Sequence, residues 1–409
     1  MHSRLADVSS IVYGKSSSEV VDEDGAVPII GTGGEYGRAS RAMFEAGVVV
    51  PRKGSLGNPQ LSLAPFWATD TTFAVLPSKD VDTRWLYYCL LNYDLSKLNE
   101  ATGVPSISRD WLEKISFFNP GFQKQTKIAD ILQTIDRAIE KTQALIDKYQ
   151  QVKAGLMHDL FTRGIGPDGQ LRPPRAQARE LYQETSIGWV PKEWKAQSLR
   201  EMAQLGIPHI KTGPFGSSLK GEHWVQEGVP VITIGALGEG EFLEDELLFV
   251  SEIYANHLVG YRIRPGEVVF SRVADVGRSV VIEPEQDGWI MSSNLMRIHL
   301  DDGKADPAFL QSLLSFDERV KRQIRCRVNS GGRDVANGEV LNSIVFAWPR
   351  IDEQKEIVAR AAAINRVISE ESELLNKFQK QKAGLMHDLL TGKVPVRVDA
   401  VAEPEAVNA

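Results

Sequence analysis

The octapeptide KAGLMHDL occurs twice in this chain, at 153–160 and at 382–389, with 229 residues between equivalent positions. Eight consecutive identities exceed anything ordinary composition produces, so any fold must accommodate an internal duplication. At the same offset the match runs back through Tyr149/Phe378, Lys148/Lys377, Leu145/Leu374, Ile139/Ile368, Ile135/Ile364, Ile128/Ile357, Gln125/Gln354, Pro120/Pro349, Phe117/Phe346 and Ile115/Ile344. No gap is needed over about 48 residues. Further upstream identity fades, although Leu112/Leu341 and Gly103/Gly332 stay in step. Those glycines read as turn positions or points of close backbone approach.

The repeated segment has a helical period. Ile128, Ile131, Ile135, Ala138, Thr142, Leu145, Tyr149, Val152 and Leu156 step by alternate threes and fours, which predicts a heptad seam. The second copy keeps that register at Ile357, Arg360, Ile364, Val367, Glu371, Leu374, Phe378, Gln381 and Leu385. Pro120 and Pro349 mark the starts, and Gly164 and Gly392 the ends. A helix from Gln125 to Phe161 spans about 55 Å at about 1.5 Å per residue, too long to lie inside one small domain. Its nearest partner is the other copy. Two related helices sharing one stripe pack most simply antiparallel about an approximate two-fold axis. The chain is then expected to form a dumbbell, with one globular segment at each end of a rod.

Composition agrees with more than one core. A chain of 409 residues exceeds the roughly 250–300 at which single cores stop growing. The expected divisions are 1–117, a first globular domain; 118–165, the first long helix; 166–189, a linker rich in Gly, Pro and charge that crosses back along the rod; 190–346, the second domain; 347–393, the second long helix; and 394–409, a disordered tail. The apolar runs, such as 46–51, fall short of the roughly 18 residues that cross a bilayer, and the start MHSRLADVSS has no apolar signal core, so a cytoplasmic location without membrane contact is expected. Cys89 and Cys326 can build neither a disulfide framework nor a zinc site.

Both globular segments carry short apolar, β-rich runs between Gly, Pro, Asn and Asp clusters, which predicts α+β domains with twisted sheets. They read as diverged copies. GVVVPRKGSLGNPQ in the first matches GEVVFSRVADVGRS in the second, aligning Arg52 and Gly57 with Arg272 and Gly277 and setting Trp67 near the place of Trp289. The net charge of −7 argues against a uniformly basic nucleic-acid binder. Positive charge is nevertheless concentrated in ERVKRQIRCRVNSGGR, which holds Lys321, Arg322, Arg325, Arg327 and Arg333. An isolated charge run of this kind is ordinarily a solvated helix face.

The repeated P-x-x-x-x-Q-x-x-I, the twin helices ending in GLMHDLFTRG and GLMHDLLTGK, IGWVPKEW, and TGPFGSSLKGEHWVQEGVPVITIG together resemble the DNA specificity subunit of type I restriction-modification enzymes. The likeness spans nearly the whole chain up to about Val396. The first half departs from it by lacking its own IGWVPKEW. The resemblance implies a non-catalytic subunit with two target-recognition domains, each reading half of a bipartite, asymmetric site in double-stranded DNA. It implies paired helices that set the spacer and dock two methyltransferase subunits, which use S-adenosylmethionine to methylate adenine. Restriction subunits, an ATP-dependent translocating nuclease, complete the complex. No cofactor, metal or catalytic residue is expected on this chain.

Arg and Lys contacts to phosphates fix register, while Arg, Asn and Gln in the major groove specify bases. On that basis the DNA-binding candidates are Tyr36, Arg38, Arg52 and Lys53 in the first domain, and Lys211, Lys220, Arg272, Arg278, Arg325, Arg327 and Asn329 in the second.

Other motifs point elsewhere and fail. GTGGEYGRAS at Gly31 follows an apolar run, but its third glycine falls at Gly37 and no Gly-Lys-Ser/Thr follows, so neither nucleotide-loop template is met. NPGF at Asn119 is one residue from an adenine-methyltransferase signature, which would make the chain itself the enzyme. Its counterpart WPRI keeps only the proline, as a helix-start junction would. His158–Asp159 and His387–Asp388 are adjacent on a helix and do not face each other as metal ligands would. A coiled-coil scaffold without DNA is the remaining alternative.

Overall fold

Two helices dominate the chain, Phe122–Thr162 with 41 residues and Ile351–Leu390 with 40. They are seen in a computed structural model that describes residues 2–207, 209–215, 218–238, 240–273, 276–328 and 335–398. Asn329, Gly332, Arg333 and the tail from 399 onward lie outside the described residues. Each helix closes on a left-handed glycine, Gly164 at φ 61° and Gly392 at φ 74°, the conformation that ends helices at little steric cost. Gly164 is doubly constrained, because a Cβ there would sit 2.3 Å from both Glu353 Oε1 and the Trp194 ring.

The chain divides into two compact units, Met1–Ile146 with Glu370–Ala409, and Asp147–Ser369. Each therefore takes in part of both helices. In the first unit the stretch around Ile128 and Leu132 shares a core with Met386, Leu389 and Leu390. Lys382 Nζ meets Asp136 Oδ1 at 2.6 Å, so the two stretches run antiparallel there. In the second unit Met157, Leu160 and Phe161 share a core with Ile357 and Ala361. Glu353 lies beside Ile165 in the same unit, and the sense is again antiparallel.

The buried stripe departs from the strict heptad. Val152 is 47% exposed and Leu374 37%, and Gln381 faces solvent, while Ile146, Met157, Leu160, Met386 and Leu389 are buried. A straight helix turns every 3.6 residues, so a 3.5-residue seam drifts by about 20° per heptad; the buried face has moved about one position toward the C-terminus by the helix end.

Each unit packs sheets on its share of the helices. In the first, Ser9–Tyr13, Thr72–Pro77, Gly47–Pro51 and Gln60–Ser62 form an antiparallel sheet in that order. Gly34–Ala39, Val27–Gly31 and Trp67–Ala68 form another, its last pair parallel. In the second unit the corresponding sheets are Ile210–Thr212, Leu295–Ile298, Val268–Ser271, Ser279–Val281, all antiparallel, and Trp224–Val225, Leu248–Val250, Val229–Ile232, Ile290–Met291, whose last pair is also parallel. The runs GVVVP and VVFS are buried on both faces, as β-branched central strands should be. The parallel pairs put Trp67 within one residue of the expected place. It pairs with Ile29, and Ile290 pairs with Val231, so within the VPII and VPVI strands Trp67 corresponds to Ile290 and not to Trp289.

A short helix in each unit is fastened to a long one in the same way. Asp82 caps Thr83–Asn92 by accepting from the amides of Arg84 and Trp85, and its own amide donates to Gln125 Oε1 at 2.9 Å. Asp306 caps Pro307–Phe316 by accepting from the Phe309 amide, and its own amide donates to Gln354 Oε1 at 2.8 Å. This is what the repeated glutamine does.

The segment 166–189, read from the sequence as a linker, carries structure of its own. Tyr182–Thr185 pairs with Gly188–Pro191. Arg172, 8% exposed at its side chain, donates to Glu353 at 2.5 Å and to Glu193 at 2.6 Å. Trp194 Nε1 and the Ile165 amide also donate to Glu353 Oε1. IGWVPKEW thus supplies a wall and a carboxylate to the end of the first long helix.

Candidate nucleic-acid interface

Arg52 and Arg272 stand at equivalent backbone nodes. The Arg52 amide donates to the Thr71 carbonyl at 2.9 Å, and the Ile107 amide donates to the Arg52 carbonyl at 3.0 Å. The Arg272 amide donates to the Asn294 carbonyl at 3.1 Å, and the Ala336 amide donates to the Arg272 carbonyl at 2.8 Å. Ile107 and Ala336 are again 229 residues apart. Each arginine thus leaves the end of a central strand where a turn and the segment leading to the long helix converge.

The turn is built alike in both units. Thr69 to Thr72 closes with a 3.0 Å hydrogen bond and Ser292 to Leu295 with one of 3.2 Å. Gly14 and Gly213 press against these turns so closely that a Cβ would lie 1.9 Å from the Thr69 carbonyl oxygen in one and from that of Ser292 in the other. That contact accounts for the first glycine of TGPFGSS, Gly213. The internal repeat held the signal for the turns at 69–72 and 292–295, which sequence reasoning did not single out.

In the first unit the turn joins a glycine-rich hairpin to form a recess of about 380 Å³, lined by Gly31, Thr32, Gly33, Gly34, Glu35, Tyr36, Thr69, Asp70 and Thr71. GTGGEYG is therefore a hairpin wall. Tyr36 is 62% exposed and shares a 2.9 Å hydrogen bond with Ser17. Arg52 donates to the Asp70 carbonyl at 3.1 Å and lies over the Tyr13 ring at 5.2 Å, a cation–π position that holds the guanidinium at the rim. Tyr36 and Arg52 are thereby brought to one turn. Arg38 is paired with Glu35 at 3.1 Å, and Lys53 is exposed on the strand end after Arg52.

In the second unit the candidates separate into two groups. Lys211 sits over the Tyr261 ring at 5.0 Å, and Lys220 is exposed with its amide donating to His223 Nδ1. Arg272 donates to the Ala336 carbonyl at 3.3 Å, and Arg327 donates to the Gln323 and Ser343 carbonyls, both serving the local backbone. Arg278 and Arg325 meet across a cleft of about 400 Å³ that also takes in Lys321, Gly277 and Ser315. Lys321 stands in the basic helix Glu318–Val328, whose Val320, Ile324 and Val328 are buried while Arg322 and Arg325 face out. Its carboxylate neighbour Glu318 reaches Lys321 at 3.4 Å and Arg325 at 3.2 Å. Partial burial pushes the Glu318 carboxyl up, but hydrogen bonds from Arg325 and Lys321 outweigh it and hold the group below the usual range.

The motifs set aside have structural uses. Asn119 Oδ1 accepts from the Gly121 amide and from Gln125 Nε2, and so organises the helix start. Asp159 pairs with Arg163 at 2.8 Å while His158 faces solvent. No group of three or more His, Cys, Asp or Glu is placed to hold a metal ion among the described residues, and no described helix is long and apolar enough to cross a membrane.

A model of the type I restriction modification DNA specificity domain matches residues 1–148 and again 191–379. The MjaVIII specificity subunit of a type I restriction enzyme from Methanocaldococcus jannaschii is 24% identical over 96% of this chain and 92% of its own length. The solved S subunit of a type I restriction-modification system from M. genitalium superposes with a TM-score of 0.63 at 15% identity, covering 95% of this chain and 96% of that one. A chain from a study of complex assembly and conformational transition in the type I R-M system gives 0.55 at 14% identity, covering 96% and 98%.

Proposed function

The chain belongs to the type I restriction modification DNA specificity domain family, and from that membership we propose that its two units are two target-recognition domains, each reading one half of a bipartite, asymmetric site. Its role is DNA sequence specificity, and it is not itself the catalyst. The relatives support that role over a DNA-free scaffold or an adenine methyltransferase.

The observation that carries the two-reader proposal is the repeated node around Arg52 and Arg272. The same backbone hydrogen bonds recur around both arginines, while the surrounding elements differ, with a glycine-rich hairpin beside the turn of the first unit and a basic helix in the second. A shared frame with unlike loops suits half-sites that differ in sequence. We read the two long helices as an antiparallel coiled coil in a pseudo-two-fold arrangement that sets the spacer, supported by the exact repeat and by the antiparallel sense within each unit. Two methyltransferase subunits and the restriction subunits are its proposed partners, in the cytosol with the DNA. Base and phosphate contacts are assigned to Tyr36, Arg38, Arg52, Lys53, Lys211, Lys220, Arg272, Arg278, Arg325 and Arg327.

A gel shift of the chain purified with its methyltransferase subunits tests the reading. Binding to duplex DNA is expected, with log affinity falling linearly as log salt rises. Absent or salt-insensitive binding contradicts it.

A further inference from the structure

The cleft between Gly277–Arg278 and the basic helix differs from the recess of the first unit in its charge. Arg278, Lys321 and Arg325 line it, and Glu318 is the carboxylate paired with the last two. Among the described residues, two cations thus share that one carboxylate, in a chain whose net charge is −7. The cleft is about 400 Å³, large enough for a phosphodiester group. Gly277, at φ 115°, puts no side chain into the space it lines. Arg325 is 62% exposed at its side chain and Lys321 37%, so both can follow a ligand.

Resting on the DNA-binding reading above, we propose that this cleft is a sequence-independent phosphate anchor, in which Lys321 and Arg325 hold the DNA backbone and Glu318 occupies their charge until DNA arrives. A phosphate anchor sets affinity and register without selecting bases. The carboxylate of Glu318, bridging the two cations, stands in for the phosphate oxygens in the free protein. Phosphate must displace it, so Glu318 weakens binding to every duplex equally. Lys321 was not among the residues expected to touch DNA. Its role emerges from the cleft it shares with Arg278, which lies 43 positions earlier in the chain.

The test uses the chain assembled with its methyltransferase subunits and a mixed-sequence duplex lacking the recognised site, titrated across a salt series. Lys321→Ala/Arg325→Ala is expected to weaken binding and to reduce the slope of log affinity against log salt by about 0.9, the amount for one phosphate no longer neutralised. Glu318→Gln is expected to tighten binding several-fold, a direction that misfolding does not produce. The methylated motif in cells should be the same for both variants and wild type. Unchanged affinity and slope in the double variant, no gain in Glu318→Gln, or an altered motif in either variant overturns the anchor. A wild-type complex that binds no duplex at any salt overturns the DNA reading itself and is told apart by that control.

Discussion

Gln125 accepts the backbone amide of Asp82 at 2.9 Å, and 229 residues later Gln354 accepts the amide of Asp306 at 2.8 Å. Both glutamines are essentially inaccessible, at 1% and 0% exposure. Gln125 also donates to Asn119, and Gln354 to the carbonyls of Lys304 and Pro349. Gln125→Leu and Gln354→Leu each strand buried partners and are expected to cost about 1–3 kcal/mol. Gln354→Leu should cost more, since it breaks more bonds. The denaturant midpoint of each variant, at unchanged m-value, measures this.

Arg172 and Glu353 form a buried pair that also holds Glu193, Trp194 and the Ile165 amide. Removing one charge leaves the other uncompensated, so Arg172→Met is expected to destabilise the protein by about 3–5 kcal/mol. Arg172→Met/Glu353→Leu should cost less than the two single changes added together. A double-mutant cycle in denaturant reads the difference, and strict additivity would show that the pair is not coupled.

Asp82 sets an acid limb. Burial raises its carboxyl pKa, but hydrogen bonds from the Arg84 side chain and from the Trp85 and Arg84 amides outweigh burial and hold it below its usual value. A depressed folded-state pKa contributes stability above the unfolded-state value and loses it as pH falls through the folded one. Asp82→Asn keeps the cap geometry without the charge. It should be less stable than wild type at neutral pH, with the difference closing on the acid side of the carboxylate range, as followed by thermal melting against pH.

One helical turn added or deleted within Thr134 to Gln143 should change the accepted spacer and leave both half-sites intact. Methylome sequencing of the variant reads both at once. Changed bases with an unchanged gap contradict the spacer role of the helices.

The fold's frame was legible because duplication repeats local chemistry, at a constant offset along the long helices and at a slightly different one in the globular segments. The long helices, their glycine ends, the α+β character and the Arg52/Arg272 match all follow from residues near one another in sequence. The fate of 166–189 was not legible, since Arg172 is buried only because Glu353, 181 residues away, meets it. The seam was misplaced by about one residue toward the end of each helix, because a 3.5-residue period and a real 3.6-residue helix part company over 40 residues. Charge runs alone could not single out the cleft of the second unit, since Arg278 joins Lys321 and Arg325 only through the fold.

The central claim is that this chain chooses a bipartite DNA site. Methylation profiling of host DNA with the chain present and deleted tests it most directly. Loss, on deletion, of adenine methylation at one motif of two unlike half-sites separated by an unspecified gap is the predicted result. An unchanged methylome, or loss at a continuous or palindromic motif, would contradict it.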